Sequence, residues 1–452
     1  MSKATASIPN IHQAARAIRA GELTPIELLE RCLARIERYE PKVKAFVFVD
    51  RELARDEAER LTGELEQGYY RGPLHGIPLG VKDIFDVFDW PTAAGSKRLA
   101  NACARRDASV VARLRQAGAV FVGKTTTTQF ASFDPAVTCN PWKHDRTPGG
   151  SSSGSAAGMA CGMFLAALGS QTGGSITRPA SYCGVYGLKP TYGRVSTDGV
   201  VELAISLDHI GPIGGCVSDL AYLLQVMAGP DWRDLRCSTN PVPDYLHEMQ
   251  VGQAAPRLGR LRGLFEEHAE PPILEMMDAV EKKLSDRGAH WSAVAQPAGF
   301  SELIARHRVI MGVEAAAFHA QRLRSYPDDY QPKLRGLLEE SLRCPAPEYA
   351  RCLEHQKQLA QDVLACFEDV DALLVPAITG PAPDISGTGN LAFQAPWSYT
   401  GLPTVSFPAG WSKDGLPLCV QVVGRPWQEG KLLALAEWCD QALAVEKREP
   451  PS

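Results

Sequence analysis

Residues 149–191 constrain the fold of this chain more than any other stretch. No charged side chain occurs between Gly149 and Thr177, although 22% of the 452 residues are charged. The clusters of Gly and Ser at both ends are typical of a flexible linker. A linker, however, would not enclose the apolar run 156–168 or end in the sequence TGGSI (172–176). We therefore predict a constrained backbone whose small residues let bound groups approach closely.

Helix-like and strand-like segments alternate along the first half of the chain. Thr24 and Glu27 have the spacing of a helix-capping box, and apolar residues follow at helical intervals. Residues 72–87 form an apolar run punctuated by Gly and Pro, which is typical of a strand. Residues 107–117 have a helical pattern and lead into a short apolar strand at 119–123. This alternation predicts an α/β fold.

The pattern changes between residues 231 and 371, where longer helical segments such as 273–284 and 302–323 predominate. Strand-like sequence returns at 372–376. We find no internal repeat and no low-complexity tract. The simplest prediction is a single domain, 1–452, with the helix-rich section 231–371 as a cover over the substrate pocket.

Composition excludes several classes of protein. A net charge of −5 provides no basic surface for nucleic acid or for an anionic membrane. The N-terminal residues lack the apolar core of a secretory signal, and no apolar run is long enough to cross a bilayer. Twelve cysteines without a C-x-x-C pair indicate reduced thiols, and no histidine has metal-binding spacing. We expect a cytoplasmic protein without a metal.

One lysine and two serines are the candidates for chemistry. Lys82 lies within the apolar run 72–87. It is either a surface lysine paired with Asp83 or a buried lysine whose lowered pKa makes it a neutral base. Ser151 and Ser175 supply hydroxyl groups, although each by itself is typical of a turn.

Ser152 lies at the centre of a G-x-S-x-G pattern, residues 150–154. In esterases this pattern places a nucleophilic serine directly after a buried strand. The preceding residues here, PWKHDRTP (141–148), do not form a strand pattern. The sequence therefore does not favour Ser152 as a nucleophile.

Taken together, these motifs resemble the amidase signature family. Within the opening stretch the resemblance rests on GGSSSGSAA (149–157), TGGSI (172–176) and CGVYGLKPT (183–191). Outside it, the matching motifs are LHGIPLGVKD (74–83), SLDHIGP (206–212) and GLPLCVQVVG (415–424). The resemblance covers roughly residues 10–230 and 370–445 and is much weaker between them.

The resemblance implies a fold and a set of roles. The fold is a large mixed central β-sheet covered by helices on both faces. Ser175 would be the nucleophile that forms an acyl-enzyme. Ser151, preceded by a cis peptide bond, would pass the proton of Ser175 to Lys82. No cofactor is needed, and the substrate is a small amide.

The resemblance also implies which groups would contact the substrate. The backbone amides of residues 172–175, which are Thr172, Gly173, Gly174 and Ser175, would form the oxyanion hole, where glycines leave room for the developing charge. Ser152 and Arg178 are the predicted substrate-binding side chains.

Two positions depart from the common pattern of the family. Gln171 and Thr177 stand where most members have Asp and Arg, and Arg178 falls three residues after Ser175. This arrangement is similar to the malonamidase branch, in which the shifted arginine contacts the carboxylate of a small half-amide. The alternative is a structural ion pair of Arg178 beneath the site.

Two other functions stay open at this stage. The glutaminase component of a tRNA-dependent amidotransferase has the same triad and requires partner proteins. A non-catalytic binding protein on the same fold is the second alternative. The resemblance also leaves open whether the chain acts as a homodimer, for which the sequence itself contains no signal.

Overall fold

The computed structural model describes residues 8–251 and 254–451. Across these residues, eleven strands belong to one sheet. The strands are β1 (Phe46–Val49), β2 (Pro78–Lys82), β3 (Val120–Thr125), β4 (Ala166–Gln171), β5 (Tyr186–Lys189), β6 (His209–Gly214), β7 (Arg257–Leu261), β8 (His290–Val294), β9 (Ala372–Pro376), β10 (Thr404–Trp411) and β11 (Pro417–Val423).

In the described part of the chain, two helices precede the first strand, one follows the last, and the others lie between strands. The helices are α1 (Ile11–Arg19), α2 (Pro25–Val43), α3 (Arg51–Glu66), α4 (Ser109–Gln116), α5 (Ser153–Ala160), α6 (Thr177–Cys183), α7 (Val217–Met227), α8 (Tyr245–Gln250), α9 (Leu264–Glu267), α10 (Pro271–Ser285), α11 (Phe300–Ser325), α12 (Pro332–Ser341), α13 (Ala346–Asp362), α14 (Ala395–Tyr399) and α15 (Glu429–Leu443). Within the described residues, no helix combines the length and apolar character needed to cross a bilayer.

The sheet is mixed, as predicted. Its order is β1-β3-β2-β4-β6-β5-β10-β11-β9-β7-β8. Strand β2 runs parallel to both β3 and β4, whereas β6, β5, β10 and β11 pair with antiparallel neighbours. Strands β9, β7 and β8 are again mutually parallel.

Helices cover both faces of the sheet. Along β4, Ala166 and Leu168 belong to one apolar cluster and Ala167 to another. Because successive side chains of a strand point to opposite faces, the two clusters lie on opposite sides. Helices α2, α3 and α5 contribute to the cluster around Ala167, and α4, α7, α11 and α15 contribute to the other. The α/β fold predicted from the sequence is confirmed.

The predicted cap at the start of α2 is also confirmed. The Thr24 hydroxyl accepts from the Glu27 backbone N–H at 3.2 Å, and the Glu27 carboxylate accepts from the Thr24 backbone N–H at 3.1 Å. Each contact satisfies a backbone N–H that has no partner within the helix.

The section 231–371 contains strands as well as helices. Strands β7 and β8 extend the sheet at one edge, next to β9. Residues of β8 are partly or fully exposed. A strand with little buried surface does not need alternating apolar residues. The sequence of β8 therefore lacks the pattern that predicts a strand, and the sequence analysis predicts mainly helices in this section.

The charge-free stretch divides between several elements. Its apolar run forms the end of α5 and the start of β4, and the TGGS sequence is the loop between β4 and α6. Strands β2 and β4 are parallel neighbours, with Val81 opposite Leu168. The end of β2, at Lys82, and the end of β4, at Gln171, therefore lie at the same edge of the sheet.

Helix α5 packs against backbone at Gly154, and this contact can be tested. A Cβ at Gly154 would lie 2.0 Å from the Ala45 carbonyl oxygen and 2.5 Å from the Thr126 nitrogen. We expect Gly154→Ala to lower the free energy of unfolding by about 1–3 kcal/mol, because backbone must move. Gly336→Ala, in α12 with open space around it, should instead raise it by about 0.5–1 kcal/mol. Urea denaturation measures both, and equal effects would contradict the packing argument.

Candidate active site

Lys82 is the last residue of β2 and is completely buried. Its Nζ donates to the hydroxyl of Ser151 at 2.7 Å and to the hydroxyl of Ser170 at 2.8 Å. Among the described residues, no carboxylate forms an ion pair with Lys82. Of the two interpretations of this lysine, the structure therefore supports the buried one.

Burial determines the charge of this lysine. Removal from water lowers the pKa of the Lys82 ammonium well below its ordinary value, and the negative charge of Asp208 opposes this shift only in part. Burial also raises the pKa of the Asp208 carboxyl to about 6, although hydrogen bonds from Thr172, Leu203 and Ala204 stabilise its charged form. The result favours a neutral amine, which is able to accept a proton.

Ser151 is held in place by its neighbours. The peptide bond between Gly150 and Ser151 is cis, which agrees with the family resemblance. The Ser151 carbonyl oxygen accepts from the Thr128 backbone N–H at 3.3 Å. A Cβ at Gly150 would lie 2.8 Å from the Thr388 methyl group, so a larger residue would push the two loops apart.

Ser175 lies in the loop that joins β4 to α6. The side-chain oxygen of Gln171 accepts from the backbone N–H groups of Ile176 and Thr177, both at 3.0 Å. Among the described residues, by contrast, no acceptor binds the N–H groups of positions 173–175 or the Ser175 hydroxyl. The loop thus presents three consecutive backbone donors beside a serine hydroxyl.

The structure brings Lys82 and Ser151 into direct contact. Between Ser151 and Ser175, however, it shows no side-chain hydrogen bond. Catalytic hydrogen bonds are often longer in the absence of substrate and tighten when it binds. The roles of Lys82, Ser151 and Ser175 stay predictions.

Ser152 is fully buried, and its hydroxyl is engaged inside the protein. It accepts from the Ser170 backbone N–H and donates to the Ser170 carbonyl oxygen, both at 3.3 Å. These contacts favour a structural role for Ser152, in support of the strand that ends at Gln171. Its predicted contact with substrate stays a prediction.

Arg178 is buried without a counter-charge. Its guanidinium donates to the carbonyl oxygens of Gly150 at 2.8 Å and Gly389 at 3.0 Å, and to the Thr388 hydroxyl at 3.3 Å. No Asp or Glu of the described residues pairs with it, so the structural ion pair considered above does not form. Burial lowers the pKa of Arg178 to about 10, with the neighbouring Tyr182 acting in the opposite direction. Its Nε has no hydrogen-bond partner among the described residues.

Sequence analysis did not identify two residues near the lysine. Ser170 accepts a hydrogen bond from Lys82, and Asp208 is the carboxylate whose charge acts on Lys82. Ser170 could have been found from strand pairing, because it lies two residues beyond Leu168, which pairs with Val81. Asp208 lies within the SLDHIGP motif (206–212), but the sequence does not indicate that its carboxylate comes close enough to Lys82 to act on its charge.

Comparison with known proteins identifies the family. The model of the family described as Amidase matches residues 27–433. The chain belongs to the amidase signature family. It is therefore an amide hydrolase, acting on carbon–nitrogen bonds.

Relatives of this amidase resemble it over nearly their whole length. A Mycobacterium tuberculosis protein named "Putative amidase AmiD" is 37% identical over 450 residues, covering 96% of this chain and 94% of the relative. The A subunit of the glutamyl-tRNA(Gln) amidotransferase of Synechococcus is 36% identical over 472 residues, covering 95% of this chain and 96% of the relative.

A solved structure also resembles this amidase over nearly its whole length. It is described as an unexpected vestigial protein complex that reveals the evolutionary origins of an s-triazine catabolic enzyme. The TM-score is 0.91 and the identity 32%, covering 97% of this chain and 99% of that one.

The buried lysine of this amidase should reduce its stability in a pH-dependent way. In the unfolded chain Lys82 is protonated at neutral pH, whereas in the folded chain burial disfavours its protonation. The unfolded state therefore binds more protons, and stability rises with pH. Relative to Lys82→Met, we expect the wild-type free energy of unfolding to increase by up to about 1.4 kcal/mol per pH unit between the folded and unfolded pKa values.

Urea denaturation at a series of pH values measures this difference. Lys282→Met is the matched control, because Lys282 lies exposed on α10. A difference between wild type and Lys82→Met that does not change with pH would show that Lys82 titrates normally.

Proposed function

We propose that this amidase hydrolyses a small carboxylic amide through Ser175, Ser151 and Lys82. The observation that carries the proposal is the contact of the buried Lys82 amine with the Ser151 hydroxyl at 2.7 Å. A serine hydroxyl is a weak nucleophile until a base removes its proton. A lysine whose pKa is lowered by burial is such a base.

The proposed reaction has two halves. In the first, the Ser175 oxygen attacks the amide carbon, its proton passes to Ser151, and the proton of Ser151 passes to Lys82. Lys82 then returns a proton through Ser151 to the leaving nitrogen, and the C–N bond breaks to give an acyl-enzyme and an amine or ammonia. In the second half, water attacks the acyl group by the same proton route and releases the carboxylic acid.

The oxyanion of each tetrahedral intermediate would be bound by the backbone donors between Thr172 and Ser175. The N–H groups of residues 173–175 have no acceptor within the described part of the chain. Donors that are already oriented stabilise the developing charge without reorganisation at the moment of reaction.

The substrate would carry a free carboxylate. Arg178 is buried, and its contacts are with carbonyl and hydroxyl oxygens only. A buried charge without a counter-charge is unfavourable, and a substrate carboxylate would compensate it. Together with Gln171 and the position of Arg178, this favours a half-amide substrate, as in the malonamidase branch.

The nucleophile is tested by Ser175→Ala. We expect hydrolysis of a small amide to fall by at least ~10³-fold, because the proposed acyl-enzyme forms on the Ser175 hydroxyl. Ser285→Ala, at the end of α10, is the control and should keep full activity. Release of ammonia measures turnover, and wild-type rates in Ser175→Ala would refute the assignment.

The carboxylate contact is tested by Arg178→Ala with two substrates of nearly equal size, a half-amide and the corresponding neutral diamide. We expect KM to rise by about 10- to 100-fold for the half-amide and much less for the diamide, because a charged hydrogen bond is lost only with the half-amide. Equal losses on both substrates would show that Arg178 acts only by holding the Gly150 and Gly389 carbonyls.

The glutaminase component of an amidotransferase is the second candidate, favoured by the similarity to the A subunit of the glutamyl-tRNA(Gln) amidotransferase. Such a component would hydrolyse glutamine only in complex with partner proteins. Purification from the native cells, followed by glutaminase assays with and without co-purified proteins, distinguishes it from an independent amidase.

A further inference from the structure

Two side chains from outside the signature stretch bind the backbone of the TGGS loop. The ring of His307, on α11, has its Nε2 3.0 Å from the Thr172 carbonyl oxygen. The hydroxyl of Ser398, on α14, donates to the Gly173 carbonyl oxygen at 2.8 Å. Both side chains are buried. Consecutive carbonyls of the loop are thus each bound by one side chain.

These contacts determine where the neighbouring N–H groups point. The peptide bonds that follow Thr172 and Gly173 are trans, since the cis bond in this region is the one between Gly150 and Ser151. In a trans peptide, C=O and N–H point in opposite directions. Binding the two carbonyls therefore turns the N–H groups of Gly173 and Gly174 away from His307 and Ser398.

The direction of the Ser398 hydrogen bond is set by Gln171. The Gln171 amide nitrogen donates to the Ser398 oxygen at 3.1 Å, so the Ser398 hydroxyl directs its own proton to Gly173. At the same time the Gln171 oxygen accepts from the N–H groups of Ile176 and Thr177. An aspartate at this position, as in most of the family, could accept these bonds but, when ionised, could not donate to Ser398.

The tautomer of His307 follows from its partner. A carbonyl oxygen can only accept, so Nε2 carries the hydrogen. Burial lowers the pKa of His307, and the ring stays neutral at neutral pH. Its Cε1 lies 3.4 Å from the position of a Cβ at Gly173, so the ring also limits movement of the loop on that side.

We propose that His307 and Ser398 are positioning residues, which hold the N–H groups of Gly173 and Gly174 towards the reacting carbonyl oxygen, with Gln171 orienting Ser398. The inference rests on the proposed function, because it assigns these two N–H groups to the oxyanion hole. Each carbonyl that accepts a hydrogen bond also polarises its peptide group and strengthens the N–H on the other side as a donor.

The test compares variants that remove each hydrogen bond with matched controls. Ser398→Ala and His307→Leu remove the bonds to the loop. Ser406→Ala is the control for the first, because Ser406 is equally buried and its hydroxyl donates to the carbonyls of Thr177 and Gly187, not to those of residues 172–175. His319→Leu is the control for the second, because His319 is buried on the same helix and contacts Tyr330.

We expect kcat to fall by about 10- to 100-fold in Ser398→Ala and His307→Leu, with KM changed less than about threefold, because the oxyanion forms only in the transition state. The rate at which a phosphonate labels Ser175 should fall in parallel. The controls should change neither quantity, whatever they do to the melting temperature. His307→Gln and Ser398→Thr, which keep a donor, should recover most of the rate.

Two results would overturn the inference. One is a wild-type kcat in Ser398→Ala and His307→Leu. The other is a crystal structure of the double variant in which the Gly173 and Gly174 N–H groups keep their directions, a result that does not depend on activity. If instead the wild-type enzyme hydrolyses no amide and the phosphonate does not label Ser175, the proposed function fails. The crystal structure of the double variant then still tests whether His307 and Ser398 orient the two N–H groups.

Discussion

A buried lysine that has no ion-pair partner among the described residues is the constraint on which the site depends. Lys82 is completely buried, and within the described part of the chain its Nζ donates hydrogen bonds only to the hydroxyls of Ser151 and Ser170. Residues 149–177 contribute no charged side chain to its surroundings. The charge of Asp208 opposes the lowering of the Lys82 pKa, and burial raises the pKa of Asp208 itself to about 6. Burial disfavours the ammonium form, which lowers stability, and it leaves the neutral amine that our proposal uses as the base.

The candidate active site is assembled from two parts of the chain that contribute in different ways. The stretch around Ser151 and Ser175 contains the groups proposed to react, and its glycines bring backbone close to them. The later part of the chain contains the supports, since His307 and Ser398 bind the TGGS loop and Thr388 binds Arg178. In our proposal, the supports from the later part of the chain hold the N–H groups of the loop in one direction.

Prediction from sequence succeeded for features that depend on residues close to one another in the chain. The capping box at Thr24, the α/β alternation and the location of Lys82 within a strand-forming apolar run all depend on neighbours in the chain. It was less informative for residues 231–371. There β8 has an exposed pattern, and nothing in the sequence around His307 indicates that its ring meets the Thr172 carbonyl 135 residues away.

The sequence by itself determined the family, the α/β class and the candidate nucleophile, bridge and base, because each of these follows from a short motif of neighbouring residues. Only the tertiary structure decided that Lys82 is buried beside Ser170, that Ser152 is engaged by strand β4, and that Arg178 has no carboxylate partner. Burial and pairing are properties of the surroundings, and a side chain acquires its surroundings from distant segments that meet only when the sheet is assembled.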